Sequence, residues 1–320
     1  MTAPPSPQVS IIPLQLPPMP QHRPTVCIVT PSFNQAPWIE QTIQSVLRQD
    51  YTNIRYLVMD GGSTDGTLDI LKRYTGRIDW ISRPDDGQTD AINRGFARGG
   101  GDILTWLNSD DTLEPGAVRA AVEYLEAPPD VAVVYGDANF IDPAGRRIGR
   151  CAHVEPFNRH RLLYYSDYIV QPAAFFRRSV FEAVGGLDKS LNWAMDYDLW
   201  LKIARNHRMA YIPKVLANYR WFGANKTAVG GLQRIDEVER VARRHGAPRL
   251  PAYFCLEAVL VHASQAAAHV RSGRWADAIA QLRQAAGRVL GSRAAMLALA
   301  DPHTWHIIWT GQVLRHRVRG

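Results

Sequence analysis

Acidic residues in this sequence gather where the chain has just run through an apolar stretch. "DILTWLNSDD" (102–111) is a strand-like run that ends on two adjacent carboxylates, Asp110 and Asp111. Side-by-side like charges repel, and burying them is costly unless something compensates. A divalent cation shared with a diphosphate would do so. Mg²⁺ and Mn²⁺ take oxygen ligands, commonly one or two carboxylates plus substrate phosphates. A simpler role is also open, since Ser109, Asp110 or Asp111 could cap the helix that follows. Thr30, Pro31 and Ser32 close another apolar run, Asp60 closes a second, and Asp85 and Asp86 come just after a third. That acidic, polar rim favours the cation reading.

The elements that must carry these residues follow from periodicity. Strands are expected at 25–31, 54–60, 78–82, 102–108 and 131–137, with helices between them. In "NQAPWIEQTIQSVLRQ", Ile39, Ile43, Val46 and Leu47 fall at i, i+4, i+7 and i+8, and Pro37 suits the first turn. "TDAINRGFARGG" predicts a short helix stopped by glycines. Alternating strands and helices imply a parallel sheet with right-handed crossovers, whose ligands bind at the carboxyl ends of the strands. The alternation then breaks. A hairpin is expected over 138–150, a strand and short helix over "DYIVQPAAFFRRSVFEAVGG", a helix over "MDYDLWLKIARN" and a strand over "MAYIPKVLANYRW". Beyond about residue 230 the pattern is helical. "AVLVHASQAAAHVRSGRWADAIAQLRQAAGRVL" reads as an ordinary helical hairpin in preference to one tetratricopeptide unit, since repeat arrays need about three or more.

The 320 residues suffice for one large domain or two smaller ones, and 46% hydrophobic residues supply a full core. Cys27, Cys151 and Cys255 are odd in number and show no metal or redox spacing. A disulfide framework is not expected, and a reducing compartment is. The net charge of +7 is uneven: residues 231–320 hold 13 Lys+Arg against 6 Asp+Glu, whereas residues 1–230 hold 24 of each. A basic tail suits an anionic partner or a solvated helical face. No apolar run of about 18 residues is present, and the start lacks the pattern of a signal peptide. Eight prolines within residues 1–24 predict an extended, poorly ordered arm over 1–23.

Several chemistries lack their motif: no GxxxxGK[ST], no GxGxxG after the first strand, no HExxH and no GxSxG. Taken together, "VTPSFNQAPWIEQTIQSVLRQDYTNIRYLVMDGGSTDGT", "DDGQTDAINRGFARGGGDILTWLNSDD" and "VGGLDKSLNWAMDYDLWLKIA" closely resemble family 2 glycosyltransferases. The resemblance spans about residues 24–230. It implies an α/β fold of GT-A type, a Rossmann-like, mostly parallel sheet flanked by helices, followed here by an all-helical region over 231–320. It also implies an inverting, metal-dependent transfer of a sugar from a nucleotide-diphosphate sugar to a glycan or lipid-linked acceptor.

On the resemblance, Thr30, Pro31, Ser32 and Asp60 hold the nucleotide base, although Asp60 also suits a turn. Asp86, Gln88, Asp90 and Asn93 line the nucleotide pocket; Asp90 could equally cap its helix. Asn108 stands where relatives often have an acid and could still bond a ribose hydroxyl. Asp110 and Asp111 carry Mg²⁺ or Mn²⁺, with Asp110 also facing the donor. Asp196 is the expected base for the acceptor hydroxyl, with Asp198 the alternative, and Met195 replaces a frequent Glu. Gln171, Gly185 and Gly186 are assigned to the acceptor side, Arg220 and Lys226 to the diphosphate. Phe222 replaces a histidine that in relatives approaches the metal. A lysine at 226 could also be simply solvated.

Met195 and Phe222 are the only support for an alternative, a catalytically silent scaffold on the same fold. A nucleotidylyltransferase would need a glycine- and lysine-rich loop where "PSFNQAP" stands. Nothing pairs the basic charge with a nucleic-acid motif, so no nucleic-acid partner is expected. The resemblance and the Ala/Arg-rich composition suggest a bacterial enzyme of cell-surface polysaccharide synthesis. It would be cytoplasmic, with peripheral contact at the inner face of the membrane through the basic helices. "WHIIWTGQVLRHRVR" (305–319) could anchor at that interface or pack on the catalytic domain.

Overall fold

The computed structural model describes residues 23–127, 130–151 and 154–290. Residues 1–22 of the expected proline-rich arm, and the expected anchor at 305–319, lie outside them. The strands are β1 (Val26–Ser32), β2 (Ile54–Asp60), β3 (Asp79–Ser82), β4 (Ile103–Trp106), β5 (Thr112–Leu113), β6 (Val131–Ile141), β7 (Arg147–Arg150), β8 (Ala174–Arg177) and β9 (Arg208–Arg220). The helices are α1 (Ile39–Leu47), α2 (Thr67–Arg73), α3 (Gln88–Gly99), α4 (Ala117–Glu126), α5 (Arg159–Tyr164), α6 (Arg178–Ala183), α7 (Met195–Ile203), α8 (Lys226–Val229), α9 (Gly231–Arg244), α10 (Ala252–Arg271) and α11 (Trp275–Leu290).

All nine strands join one sheet in the order β3-β2-β1-β4-β8-β6-β9-β5, and β7 adds to β6 as the expected hairpin. β1 is parallel to both β2 and β4, and β2 to β3. The continuous apolar run of β1 is explained by its central place, buried on both faces. Its alternate side chains enter different cores. Cys27 and Val29 pack with Ile92 and Phe96 of α3, while Val26 and Ile28 pack with Ile39 and Ile43 of α1.

The fifth strand departs from a simple parallel series. β6 does not lie beside β4, because β8, later in sequence, inserts antiparallel between them. β6 also runs four residues beyond its expected end, since β9 pairs with it in parallel as far as Ile141↔Arg220. β5, only two residues long, is too short to show a period; it exists because β9 reaches it at Thr112↔Asn218. α10 and α11 form the expected hairpin. Ile235, Val238 and Val241 of α9 and Phe254, Cys255 and Ala258 of α10 join the same core as α7, so these helices complete one wall of the sheet's own core. The three cysteines are free and buried.

α3 lies unusually close to the sheet. A methyl at Gly95 would come within 2.5 Å of Val29 Cγ1 and 3.1 Å of Met59 Cγ. Gly95→Ala should therefore lower stability by about 1–3 kcal/mol, despite the helix propensity it gains. A fall in the urea midpoint at unchanged m-value would register it.

Candidate active site

A cavity of about 850 Å³ opens at the carboxyl ends of β1, β2 and β4. Pro31, Ser32, Gly61, Asp85, Gln88, Asn108, Ser109 and Asp110 form one wall; Gln171, Asp196 and Lys226 line it further on. The far end is walled by Trp193 and by Arg234, Val238, Tyr253, Phe254 and Glu257 of α9 and α10.

The acidic corner is fixed from behind. Asp111 is fully buried; its Oδ1 accepts from the Arg220 amide at 2.9 Å, and its Oδ2 lies 3.3 Å from Asn108 Nδ2. Arg220, also fully buried, donates from all three guanidinium nitrogens. Nε reaches the Asp110 carbonyl at 2.7 Å, Nη1 the carbonyls of Asp142 and Pro143, and Nη2 Gln41 Oε1 at 2.8 Å. Arg220 is thus not at the diphosphate as expected: it is turned inward, where it fixes the loop that presents Asp110. Burial pushes the Asp110 carboxyl up, against the pull of Arg220. Burial and then the neighbouring Asp110 charge push Asp111 well above the usual range. Asp110 faces the cavity and Asp111 stands behind it.

Two carboxylates held in a costly corner beside amide and carbonyl oxygens fit a hard divalent cation completed by substrate phosphates; the one thiol nearby, Cys151, is buried and kept protonated by that burial and by the Asp111 charge. Among the described residues no cluster of three or more His, Cys, Asp or Glu could hold a metal unaided. Phe222 packs against Trp38 in a tilted pair, with ring centroids 4.4 Å apart.

A polar chain leads away from this corner. Asn108 Oδ1 accepts from Gln88 Nε2 at 2.7 Å, and Gln88 Oε1 from Lys226 Nζ at 2.8 Å. Gln171 lines the cavity, but its amide serves Asn108 and the Trp106 carbonyl. Several expected contacts face inward instead. Thr30 is buried and 3.1 Å from the Tyr56 hydroxyl. Asp60 accepts from the Gly62 and Ser63 amides and from the Ser63 and Ser82 hydroxyls, which makes it the knot of the loop after β2. Asp90 pairs with Arg94 and Lys189. Asn93 clamps both backbone groups of Leu187. Asp86 is exposed outside the cavity, and Asp85 lines it, set against Gly61, where a side chain would crowd it. Gly185 and Gly186 lie off the cavity too; their φ values of 81° and 69° make the turn that ends α6 possible.

Asp196 stands in the first turn of α7, on the cavity wall. Burial pushes its carboxyl up, while its helix amides, Lys226 and Arg234 pull the other way. Burial in turn holds the Lys226 ammonium below its usual range. Asp198 is not a competitor for the base: it is fully buried, 2.9 Å from His245 Nε2 and 2.8 Å from Lys202 Nζ. Met195 accepts a contact from the Thr89 hydroxyl at Sδ.

Two residues were not singled out from the sequence. Glu237 of α9, nearly fully buried, accepts the amides of Asn192, Trp193 and Ala194 at 2.6–3.1 Å. It caps the start of α7 from another helix, since α7 has no side-chain cap of its own. Asp167 lines the cavity with its Oδ1 buried and unpartnered, and burial followed by the Asp196 charge pushes it well up. Neither has a local sequence cue, because each acts on residues far along the chain.

Solved structures share this architecture. The mannosyltransferase PcManGT from Pyrobaculum calidifontis, in complex with GDP-Man and Mn²⁺, superposes with a TM-score of 0.59 over 97% of this chain and 87% of its own, at 21% identity. TarS from S. aureus in complex with UDP gives 0.56 over 75% and 72%, at 17% identity. The fold is that of the GT-A glycosyltransferases. Residues 27–185 match the family model for Glycosyl transferase family 2. An uncharacterized glycosyltransferase of Mycobacterium tuberculosis is 31% identical over 68% of this chain and 85% of its own length. The chondroitin synthase of Pasteurella multocida is 27% identical over 64% of this chain, which spans only 21% of that protein. The chain belongs to glycosyl transferase family 2 and is a glycosyltransferase.

Arg220→Met should cost about 1–3 kcal/mol, because the buried Asp142 carbonyl and the half-buried Asp110 carbonyl lose their donor. The urea midpoint measures that loss, and nucleotide affinity should fall with it as the Asp110 loop loosens.

Proposed function

We propose that this enzyme transfers a sugar, with inversion, from a nucleotide-diphosphate sugar to a hydroxyl of a glycan or lipid-linked acceptor. The observation that carries the reading is that Asp110 and Asp196, from distant parts of the chain, line one cavity. The nucleotide lies along Pro31, Ser32, Asp85 and Gln88, with the diphosphate toward Asp110 and Lys226. Asp110, backed by Asp111, holds the Mg²⁺ or Mn²⁺, which neutralises charge on the departing diphosphate when bound. Lys226, steadied by Gln88, adds a cation at the same place.

Asp196 accepts the proton of the acceptor hydroxyl as its oxygen attacks the anomeric carbon and the bond to the diphosphate breaks on the opposite face. A base with a raised pKa takes a proton more readily, provided it is ionised at the working pH. Activity should therefore fall as pH drops through a value above that of an ordinary aspartate, since protonation removes the base.

The catalytic unit is taken as residues 24–230 together with α9 and α10, which share its core and wall its cavity. Peripheral contact with a membrane surface through the helical region 231–320 belongs to the same proposal. Its support is the exposed stripe Trp275, Ile279 and Leu282 on one face of α11, near exposed Arg271, Arg274 and Arg283. Among the described residues no helix is long and apolar enough to cross a membrane. Cosedimentation with vesicles should require anionic lipid and weaken in Trp275→Ala.

Proton NMR of the product is the direct test: its new linkage should have the anomeric configuration opposite to the donor's. Retention would overturn the mechanism. Asp196→Asn should lower kcat by roughly 10²–10⁴ with the fold intact. A variant of wild-type activity would remove Asp196 from the base role.

A further inference from the structure

The cavity continues past Asp196 to a wall supplied mostly by helices beyond the family-like part of the chain. We propose that this end, built by α9 and α10, is the acceptor subsite and that it takes an uncharged sugar. The proposal rests on the transferase reading given above.

Asp196 joins the two ends. It feels both Lys226, which is tied through Gln88 to the acidic corner, and Arg234, which belongs to α9. An acceptor must put its hydroxyl at Asp196 from the side that the donor does not occupy. That side holds Asp167, Trp193, Arg234, Tyr253, Phe254 and Glu257.

The chemistry of this wall is specific. Arg234 donates to Glu257 Oε1 and lies over the Phe254 ring, 5.4 Å from its centroid, so its charge is already matched. Glu257 Oε2 and Asp167 Oδ1 are buried with no hydrogen-bond partner. Buried acceptors of this kind call for donors, and sugar hydroxyls are donors. Tyr253, Phe254 and Trp193 give flat apolar surface of the kind that lines small-molecule sites. The only Lys or Arg side chains on the cavity wall, among the described residues, are Lys226 and Arg234. The first serves the donor side and the second is paired with Glu257. Arg234 and Glu257 neutralise each other, so a carboxylate, phosphate or sulfate on the accepting sugar would meet Asp167 and Asp196 with no unpaired cation to balance it. The subsite is built to reject acidic sugars as well as to hold neutral ones.

The geometry also explains the close fit of Trp193. Gly230, at the start of α9, has no side chain, and a methyl there would come within 2.8 Å of Trp193 Nε1. Together with Glu237, which grips the Trp193 amide, this sets the tryptophan against the helix that carries Arg234.

The test is saturation-transfer NMR and steady-state kinetics on the full chain. The probes are p-nitrophenyl glycosides of neutral hexoses and of the matching uronic acids, with nucleotide diphosphate and Mn²⁺ present. At least one neutral glycoside should bind and react, and its uronate should be at least tenfold weaker. Glu257→Gln should raise KM for the neutral acceptor about tenfold, the scale of one hydrogen bond to a charged group. Asp167→Asn, nearly isosteric, gives a second reading should Glu257→Gln fail to fold. A uronate that binds as well as its neutral counterpart would overturn the proposal. So would nucleotide binding with no glycoside binding, or acceptor KM values unmoved in both variants. Failure of nucleotide binding itself would instead sink the transferase reading beneath it.

Discussion

One buried guanidinium holds the acidic corner of the cavity in register with the strands behind it. Arg220 ends the long strand β9, and its side chain reaches the Asp110 carbonyl, the 142–143 turn and Gln41 of α1. Its own amide supports Asp111. Without the guanidinium the buried Asp142 carbonyl would be left bare, which is costly, and the half-buried Asp110 carbonyl would lose its tether. The acidic loop after β4 therefore depends on a strand more than a hundred residues later. The pairing of β9 with both β6 and β5 brings that strand to the right depth.

A second long-range tie does for Asp196 what Arg220 does for Asp110 and Asp111. Glu237 accepts three consecutive amides just ahead of Asp196, placing negative charge at the positive end of α7. Both ties come from segments that look like scaffolding. They make the helices after residue 230 part of the site, because α9 and α10 also contribute Arg234 and Glu257 to the cavity wall.

Much of the framework was legible in the sequence. The apolar runs of β1, β2 and β4, with polar residues at their carboxyl ends, located the rim, and the resemblance selected Asp110, Gln88, Lys226 and Asp196, all of which line the cavity. What was not legible is which way a side chain turns within a loop. Asp60 at the end of β2 and Asp90 and Asn93 on α3 occupy the right elements but are bound inward by neighbours that only the fold supplies. Asp85 rather than Asp86 lines the site, a difference of one residue that periodicity does not resolve in a turn. Arg220 looked like a phosphate ligand on the resemblance; its partners are the backbone carbonyls of Asp110, Asp142 and Pro143 and the side-chain oxygen of Gln41. The insertion of β8 beside β4 escaped for a related reason, since a four-residue strand takes its neighbours from tertiary context.

The central claim is that the Asp110 corner, fixed by Arg220, receives a nucleotide diphosphate together with a divalent cation. Isothermal calorimetry tests it most directly, with a panel of nucleoside diphosphates titrated in Mn²⁺, Mg²⁺ or EDTA into the wild-type protein and Asp110→Asn. The account predicts that at least one nucleotide binds in the presence of the metal, and that the heat is lost in EDTA and in the variant. Equal binding in EDTA and in Asp110→Asn, or no binding of any nucleotide by a folded protein, would contradict it.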